Sequence, residues 1–254
     1  MKYGSGIAAV DRYVNHDYDS VFGMSSQFAA IIAAHVMNRQ SQLGIAGHMA
    51  EIGTFEGRFF IAMALALQPG ERGVGIDTFE WPSPKVRDKL MSHMQRLGVR
   101  TADMSVLTAN SADLTSADIS GPLGGQFGGQ VRFFHVDGDH TPKALTHDLD
   151  LAYAVMHPKG VICLDDMLHP GFPLLTVAVY EWLQKHPDMR VFCVIDREDI
   201  VAAPKFMLCR HEAAALYEQD LLASFPEWHF EAASQWEQWV AIVLTPHPRF
   251  AVVE

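Results

Sequence analysis

Asp137, Asp139 and His140 close one apolar run, Val131-Arg-Phe-Phe-His-Val-Asp137-Gly-Asp139-His140. Asp165 and Asp166 close the next, Gly160-Val-Ile-Cys-Leu-Asp165-Asp166. A helical pattern separates the two runs, so together they read as a βαβ unit. A right-handed crossover puts the carboxyl ends of both strands on one edge of a parallel sheet. Open α/β sheets bind ligands at that edge. Carboxylates are seldom buried without partners. Four of them beside a histidine call for a cation, a basic ligand or water. The chemistry such a set can do is ion binding or proton transfer.

Each of these residues also has a structural use. Asp137 could simply end its strand by turning through Gly138. Asp139 is expected to cap the helix that starts near Pro142, where proline at the first turn forfeits no hydrogen bond. His140 and His169 are the candidate bases, both on loops at the active edge. The chain has 13 histidines, so chance could also place one there. His135 lies inside a strand and reads as a satisfied core or interface residue. The Pro170-Gly-Phe-Pro173 loop could wall a substrate or only break the chain.

A second constellation lies upstream, in Glu51-Ile-Gly53-Thr54-Phe-Glu-Gly57-Arg58. It runs strand, turn, helix with the spacing Glu-x-Gly-x-x-x-Gly. Gly53 would let the backbone turn tightly and approach a ligand, and Gly57 would let the next helix start close by. One strand later, Val74-Gly-Ile-Asp77 ends on an acid, in a place that commonly binds ribose hydroxyls. An ordinary βα turn followed by a capping Asp is the structural alternative. The dinucleotide pattern GxGxxG is absent, and Glu56 would be a poor neighbour for a pyrophosphate.

The elements that must position these residues alternate regularly. Strands are expected at 45–52, 73–76, 104–108, 131–136, 161–164 and 191–195. Helices are expected at 25–41, 57–67, 84–97, 142–156 and 173–185. Continuous apolar strands divided by helices predict a parallel sheet covered on both faces. The last third reads as strand 200–209, helix 211–224 and strand 228–244, adding antiparallel pairing at one edge. The glycine-rich stretch 121–129 reads as a loop. The predicted fold is α/β: a doubly wound, mostly parallel Rossmann-like sheet with helices on both faces and an antiparallel C-terminal edge. It forms one domain over 1–254, with a core at 25–185 and a C-terminal sheet extension at 186–254.

Composition narrows the function. The 254 residues carry a formal net charge of -11 and no Lys/Arg run, which argues against nucleic acid or an anionic membrane as partner. Cys163, Cys193 and Cys209 lie in apolar contexts without a CxxC pair, as buried free thiols of a reducing compartment would. No signal-like or membrane-spanning run is seen, so a cytoplasmic protein is expected. A homodimer is a reasonable expectation for its assembly.

Four motifs in order carry a family resemblance: Glu51-Ile-Gly53-Thr-Phe-Glu-Gly57, Gly75-Ile-Asp77, Ala109-Asn110-Ser111-Ala112 and Val136-Asp137-Gly-Asp139-His140. The chain resembles class I S-adenosylmethionine-dependent methyltransferases over about residues 25–185. It is most similar to the small-molecule O-methyltransferase branch that includes the macrocin-type sugar enzymes. The resemblance implies that Glu51, Gly53, Thr54 and Gly57 face the methionine part of the cofactor. It implies that Asp77 binds the ribose, that Ser111 and Ala112 flank the adenine, and that Asp137 borders the site. A sulfonium with a zwitterionic tail suits an acidic strand end beside exposed amides. Trp81 could pack on the cofactor or stand in a surface loop.

In metal-dependent relatives, the residues matching Asp137, Asp165 and Asp166 hold Mg²⁺ or another divalent ion. Such an ion would lower the pKa of a bound substrate hydroxyl. Asp165 could instead face the cofactor's positive charge, with Asp166 solvated. His140 stands where some relatives have lysine. The resemblance thus implies methyl transfer to a small hydroxylated acceptor, assisted by a metal. Metal-independent N- or O-methylation with a histidine base is the alternative, and a non-catalytic cofactor-binding scaffold is a third.

Overall fold

The computed structural model describes residues 4–247. Nine strands form one sheet: β1 (His48–Ile52), β2 (Gly73–Asp77), β3 (Met104–Thr108), β4 (Val131–Val136), β5 (Met156–Leu164), β6 (Met189–Ile195), β7 (Lys205–Arg210), β8 (His229–Gln235) and β9 (Val240–Leu244). Their order across the sheet is β3-β2-β1-β4-β5-β7-β6-β9-β8. The neighbours from β3 to β5 pair parallel. The chain leaves β1 toward β2 and β3, then returns to place β4 on β1's other side. The order therefore reverses between β1 and β4, where a doubly wound sheet opens a crevice at its carboxyl edge.

Helices cover both faces. On one lie α1 (Ala8–Arg12), α2 (Gln27–Gln42), α3 (Arg58–Leu65), α4 (Val86–Arg96) and α8 (His211–Ser224), packed through Phe28, Ile32, Phe60, Leu90 and Tyr217. On the other lie α5 (Ser116–Leu123), α6 (Pro142–Val155) and α7 (Leu174–Lys185), packed through Ile119, Leu149, Val179 and Trp182. Every residue of β4 is buried. Its two polar members find partners inside: Arg132 pairs with Glu71 at 2.7 Å, and His135 meets Glu51 at 2.7 Å. His135 is thus a satisfied core residue. Among the described residues no helix is long and apolar enough to cross a membrane. The three cysteines are free and buried.

Two expectations need correction. The stretch 228–244 is not one strand but the hairpin β8–β9, because Ser-Gln-Trp-Glu-Gln breaks the apolar run and Trp236 N–H closes the turn on the Trp239 carbonyl at 2.9 Å. Helix α5 runs into the glycine-rich stretch as far as Leu123 and ends on Gly124, whose φ of 71° an L-residue rarely adopts. The expected antiparallel C-terminal edge is present, formed by β7, β6, β9 and β8 on one side of the sheet. Strand β7 inserts between β5 and β6, antiparallel to both. That insertion carries Lys205 to the heart of the acidic edge.

Candidate active site

The turn after β1 is shaped by its neighbour. Gly53 has φ 86°, and a Cβ there would lie 1.7 Å from the Asp137 carbonyl oxygen. The end of β4 crosses so close to β1 that only glycine fits, and Asp137 N–H reaches the Ile52 carbonyl at 2.9 Å. Gly57 has φ 92° and faces Leu90, so it starts α3 where a side chain would collide. Thr54 is buried, and its hydroxyl donates to the Ile76 carbonyl at 3.3 Å.

Asp77 locks this turn to the next strand. Its Oδ2 accepts the Phe55 N–H at 2.8 Å and its Oδ1 accepts the Phe79 N–H at 2.7 Å. Phe55 and Phe79 both have positive φ, an unusual state for aromatic residues. Each carboxylate oxygen keeps a further lone pair. A cleft of about 230 Å³ opens here, bordered by Gly53, Asp77, Asn110, Ser111, Asp137 and Gly138. Of the residues that the resemblance assigns to the cofactor, four meet in one cleft: Gly53, Asp77, Ser111 and Asp137. Glu51 lies behind it, and Thr54 and Gly57 serve the turn. Ala112 is exposed and donates its N–H to Asn110 Oδ1. Trp81 is 64% exposed and stacks on Phe55 at 5.4 Å between ring centroids.

Behind the cleft runs a buried chain of polar groups. Glu51 Oε1 meets His135 Nδ1 at 2.7 Å, and His135 Nε2 lies 3.2 Å from Lys205 Nζ. Lys205 Nζ donates to Asp165 Oδ2. Burial, and then the Lys205 charge, hold His135 well below its usual range, so it is neutral. The tautomer that satisfies both neighbours has Nδ1–H donating to Glu51 and Nε2 accepting from Lys205. Glu51 Oε2 is buried with no hydrogen-bond partner, and burial pushes the carboxyl well above the ordinary range. Burial alone would depress the Lys205 ammonium, but Asp165 and Asp137 outweigh it and raise its pKa.

The outer part of the edge is built differently. His140 Nε2 lies 2.6 Å from Asp166 Oδ2. That contact raises the imidazole's pKa against the opposing effect of partial burial. For Asp166, burial works upward, but the bond to His140 and its charge leave the carboxyl below its usual value. Asp166 sits at φ 58°, and Leu168 at φ 57°. Backbone strain of this kind is retained where the surroundings over-determine it, and it clusters at functional sites. Phe172 stacks on His140 at 4.2 Å with the rings 6° from parallel, and on His169 at 4.8 Å. The 170–173 loop is thus a wall of this corner. His169 Nδ1 accepts the Gly171 N–H at 2.9 Å, so one ring nitrogen is committed to its own loop.

Asp139 is not the helix cap. Thr141 fills that position, its Oγ1 accepting the Ala144 N–H at 3.3 Å, while Asp139 Oδ2 accepts the Thr141 hydroxyl at 3.0 Å. The cap falls one residue before Pro142, and Asp139 is two residues too early to reach the helix amides. Asp148 on α6 is buried under Gly138, and neither oxygen has a hydrogen bond of normal geometry. Burial raises its pKa to about 6.

Lys205 is the residue that sequence reasoning missed. The signal was a lone lysine opening the apolar run Lys-Phe-Met-Leu-Cys after Pro204. Only the pairing of β5 with β7 gives it meaning. Leu164 faces Phe206, and the same register continued one step sets Lys205 opposite Asp165.

Comparison with known proteins agrees with this architecture. A family model described as a methyltransferase domain matches residues 50–167. The O-methyltransferase from Bacillus cereus, solved in complex with SAH, is 17% identical with a TM-score of 0.57, covering 80% of this chain and 90% of that one. TomG from Streptomyces achromogenes, an O-methyltransferase involved in tomaymycin synthesis and solved with SAM, is 18% identical with a TM-score of 0.56 over 80% of this chain and 89% of that one. The TDP-rhamnose 3'-O-methyltransferase CalS11 of calicheamicin biosynthesis is 17% identical with a TM-score of 0.53, covering 79% and 86%. No curated protein matches the chain in sequence. Residues 50–167 thus match a methyltransferase domain, and the chain shares the fold of these O-methyltransferases. The matched span runs from within β1 to the loop after β5 and holds the cleft and both acidic clusters.

Proposed function

We propose that this protein transfers the methyl group of S-adenosylmethionine to a hydroxyl of a small molecule. The observation that carries the reading is the placing of the Asp77 cleft and the His140–Asp166 pair side by side, both bordered by Asp137. The cofactor supplies an electrophilic methyl group on a sulfonium. The chain's own residues suit it. The unpartnered Glu51 Oε2 is a buried acceptor awaiting a cationic or N–H donor. Asp77, held rigid by two amides, turns its remaining lone pairs to the cleft as acceptors for ribose hydroxyls. Ser111, which the resemblance sets beside the adenine, borders the cleft, as does Gly138.

His140 is the base. With Nε2 engaged by Asp166, Nδ1 remains to take the acceptor's hydroxyl proton as its oxygen gains the methyl group. Asp166 then stabilises the imidazolium, as a carboxylate does behind a catalytic histidine. His169, committed to Gly171, is less suited to that role. A second cavity of about 450 Å³ lies at the same edge, lined by Asp19, Ser25, Ser26, Arg58, Glu198 and Asp199 among others. Its polar lining and size suit a small hydroxylated acceptor.

The divalent ion implied by the resemblance is supported least. Of its set, Asp165 is already bonded to a buried ammonium; Asp137 and Asp166 converge with His140 within 4.8 Å, but Asp166 is engaged by that imidazole at 2.6 Å. We therefore favour methyl transfer without a metal. The test is transfer of a labelled methyl group from the cofactor to panels of hydroxylated and amine acceptors, with and without EDTA. Labelled hydroxylated products formed equally in EDTA support the reading. Products from amines alone would replace it with N-methylation.

A further inference from the structure

The acidic edge contains a cation of its own, and its surroundings are built for it. Lys205 is 1% exposed, and Asp165, His135 and Phe59 stand around its ammonium. Asp165 Oδ2 accepts one N–H, His135 Nε2 lies at 3.2 Å, and the Phe59 ring centroid is 4.8 Å away. His135 itself stacks on Phe59 at 4.1 Å and is fixed from behind by Glu51. The tautomer of His135 is therefore set to accept from an ammonium.

The same place would otherwise be an ion site. One ligand atom from each of His135, Asp137 and Asp165 lies within 4.8 Å of the other two. Mg²⁺ asks for octahedral oxygen ligands and keeps several waters. Here a compact positive charge already holds Asp165, with His135 Nε2 and the Phe59 ring beside it. An ion entering at Asp165 would have to expel Lys205, whose stem is fixed as the first residue of β7 beside Ile195.

We propose that Lys205 is the resident cation of this site, taking the place of a divalent ion between Asp137 and Asp165. It acts through those carboxylates, and so is a positioning residue. It offsets the inner negative charge and keeps Asp165 turned away from the acceptor, leaving Asp166 to His140. The inference concerns the same edge as the proposed methyl transfer, but ion binding is read without turnover, so either can fail while the other stands.

The experiment is a Mn²⁺ titration followed by electron paramagnetic resonance. The wild-type protein is expected to show no stoichiometric site at Mn²⁺ concentrations up to about 1 mM, the weak end of protein sites for hard divalent ions. Lys205→Met removes the ammonium and keeps an unbranched stem. It is expected to bind Mn²⁺ roughly tenfold or more tightly than wild type, as removing a neighbouring positive charge should allow. Asp165→Asn added to it should abolish that binding. One Mn²⁺ per wild-type chain, lost in Asp165→Asn or Asp137→Asn, would overturn the proposal. So would a folded Lys205→Met that gains no affinity. Should that variant not fold, the wild-type titration decides alone.

Discussion

His140 Nε2 stands 2.6 Å from Asp166 Oδ2, a bond between residues 26 positions apart that joins the loops after β4 and β5. Asp166 raises the pKa of the imidazole it touches, and Phe172 covers the ring's face. If His140 takes the acceptor proton, activity must rise with pH as the ring loses its own proton. The acidic limb of the kcat/KM profile is then expected to have its midpoint above the ordinary histidine value. Asp166→Asn removes the charge that favours imidazolium and should move that limb to lower pH. His140→Ala should cost roughly 10²–10⁴-fold in kcat, the usual worth of a positioned base. A profile unchanged in both variants would remove His140 from the reaction.

Gly53→Ala should be among the most damaging single substitutions. The added carbon would meet the Asp137 carbonyl at 1.7 Å in a left-handed backbone. A clash with main chain cannot be relieved by rotating a side chain. We expect a loss of about 3 kcal/mol or more, or failure to fold. Urea denaturation measures the first outcome and expression of soluble protein the second. A variant of wild-type stability would show that β1 and β4 do not approach as described.

Asp148 makes stability depend on pH in an unusual direction. Its folded pKa of about 6 lies above the ordinary aspartate value. The folded state therefore holds its proton more tightly than the unfolded chain does. The stability this confers is complete below the unfolded pKa and is lost as pH rises through about 6. Asp148→Asn, which cannot ionise, should gain on wild type between pH 4 and 8 by on the order of 2–3 kcal/mol. Thermal melts of both proteins across that range test it, and parallel curves would contradict it.

Much of this was legible beforehand because it rests on local rules. The alternation of apolar runs and helices marked the parallel half of the sheet, and every strand from β1 to β5 was anticipated. Gly53 and Asp77 could be read because a tight βα turn leaves few residue choices. Gly53 carries a second constraint that no local rule announces, the close approach of the end of β4 at Asp137. What stayed hidden depends on pairing between distant segments. Strand β7 looked like any apolar run, and nothing local says that it inserts antiparallel between β5 and β6. Lys205 takes its meaning from that register alone. Asp139 was misread because Thr141 competes for the same cap from a better position.

The carboxylate of Asp77 is the account's most direct handle on the cofactor. Isothermal calorimetry of the intact protein with S-adenosylhomocysteine should show one site per chain. Asp77→Ala should weaken it roughly tenfold to a hundredfold, as the loss of charged hydrogen bonds to two hydroxyls implies. Absence of any binding by the folded wild-type protein at millimolar ligand would contradict the assignment of this site to S-adenosylmethionine.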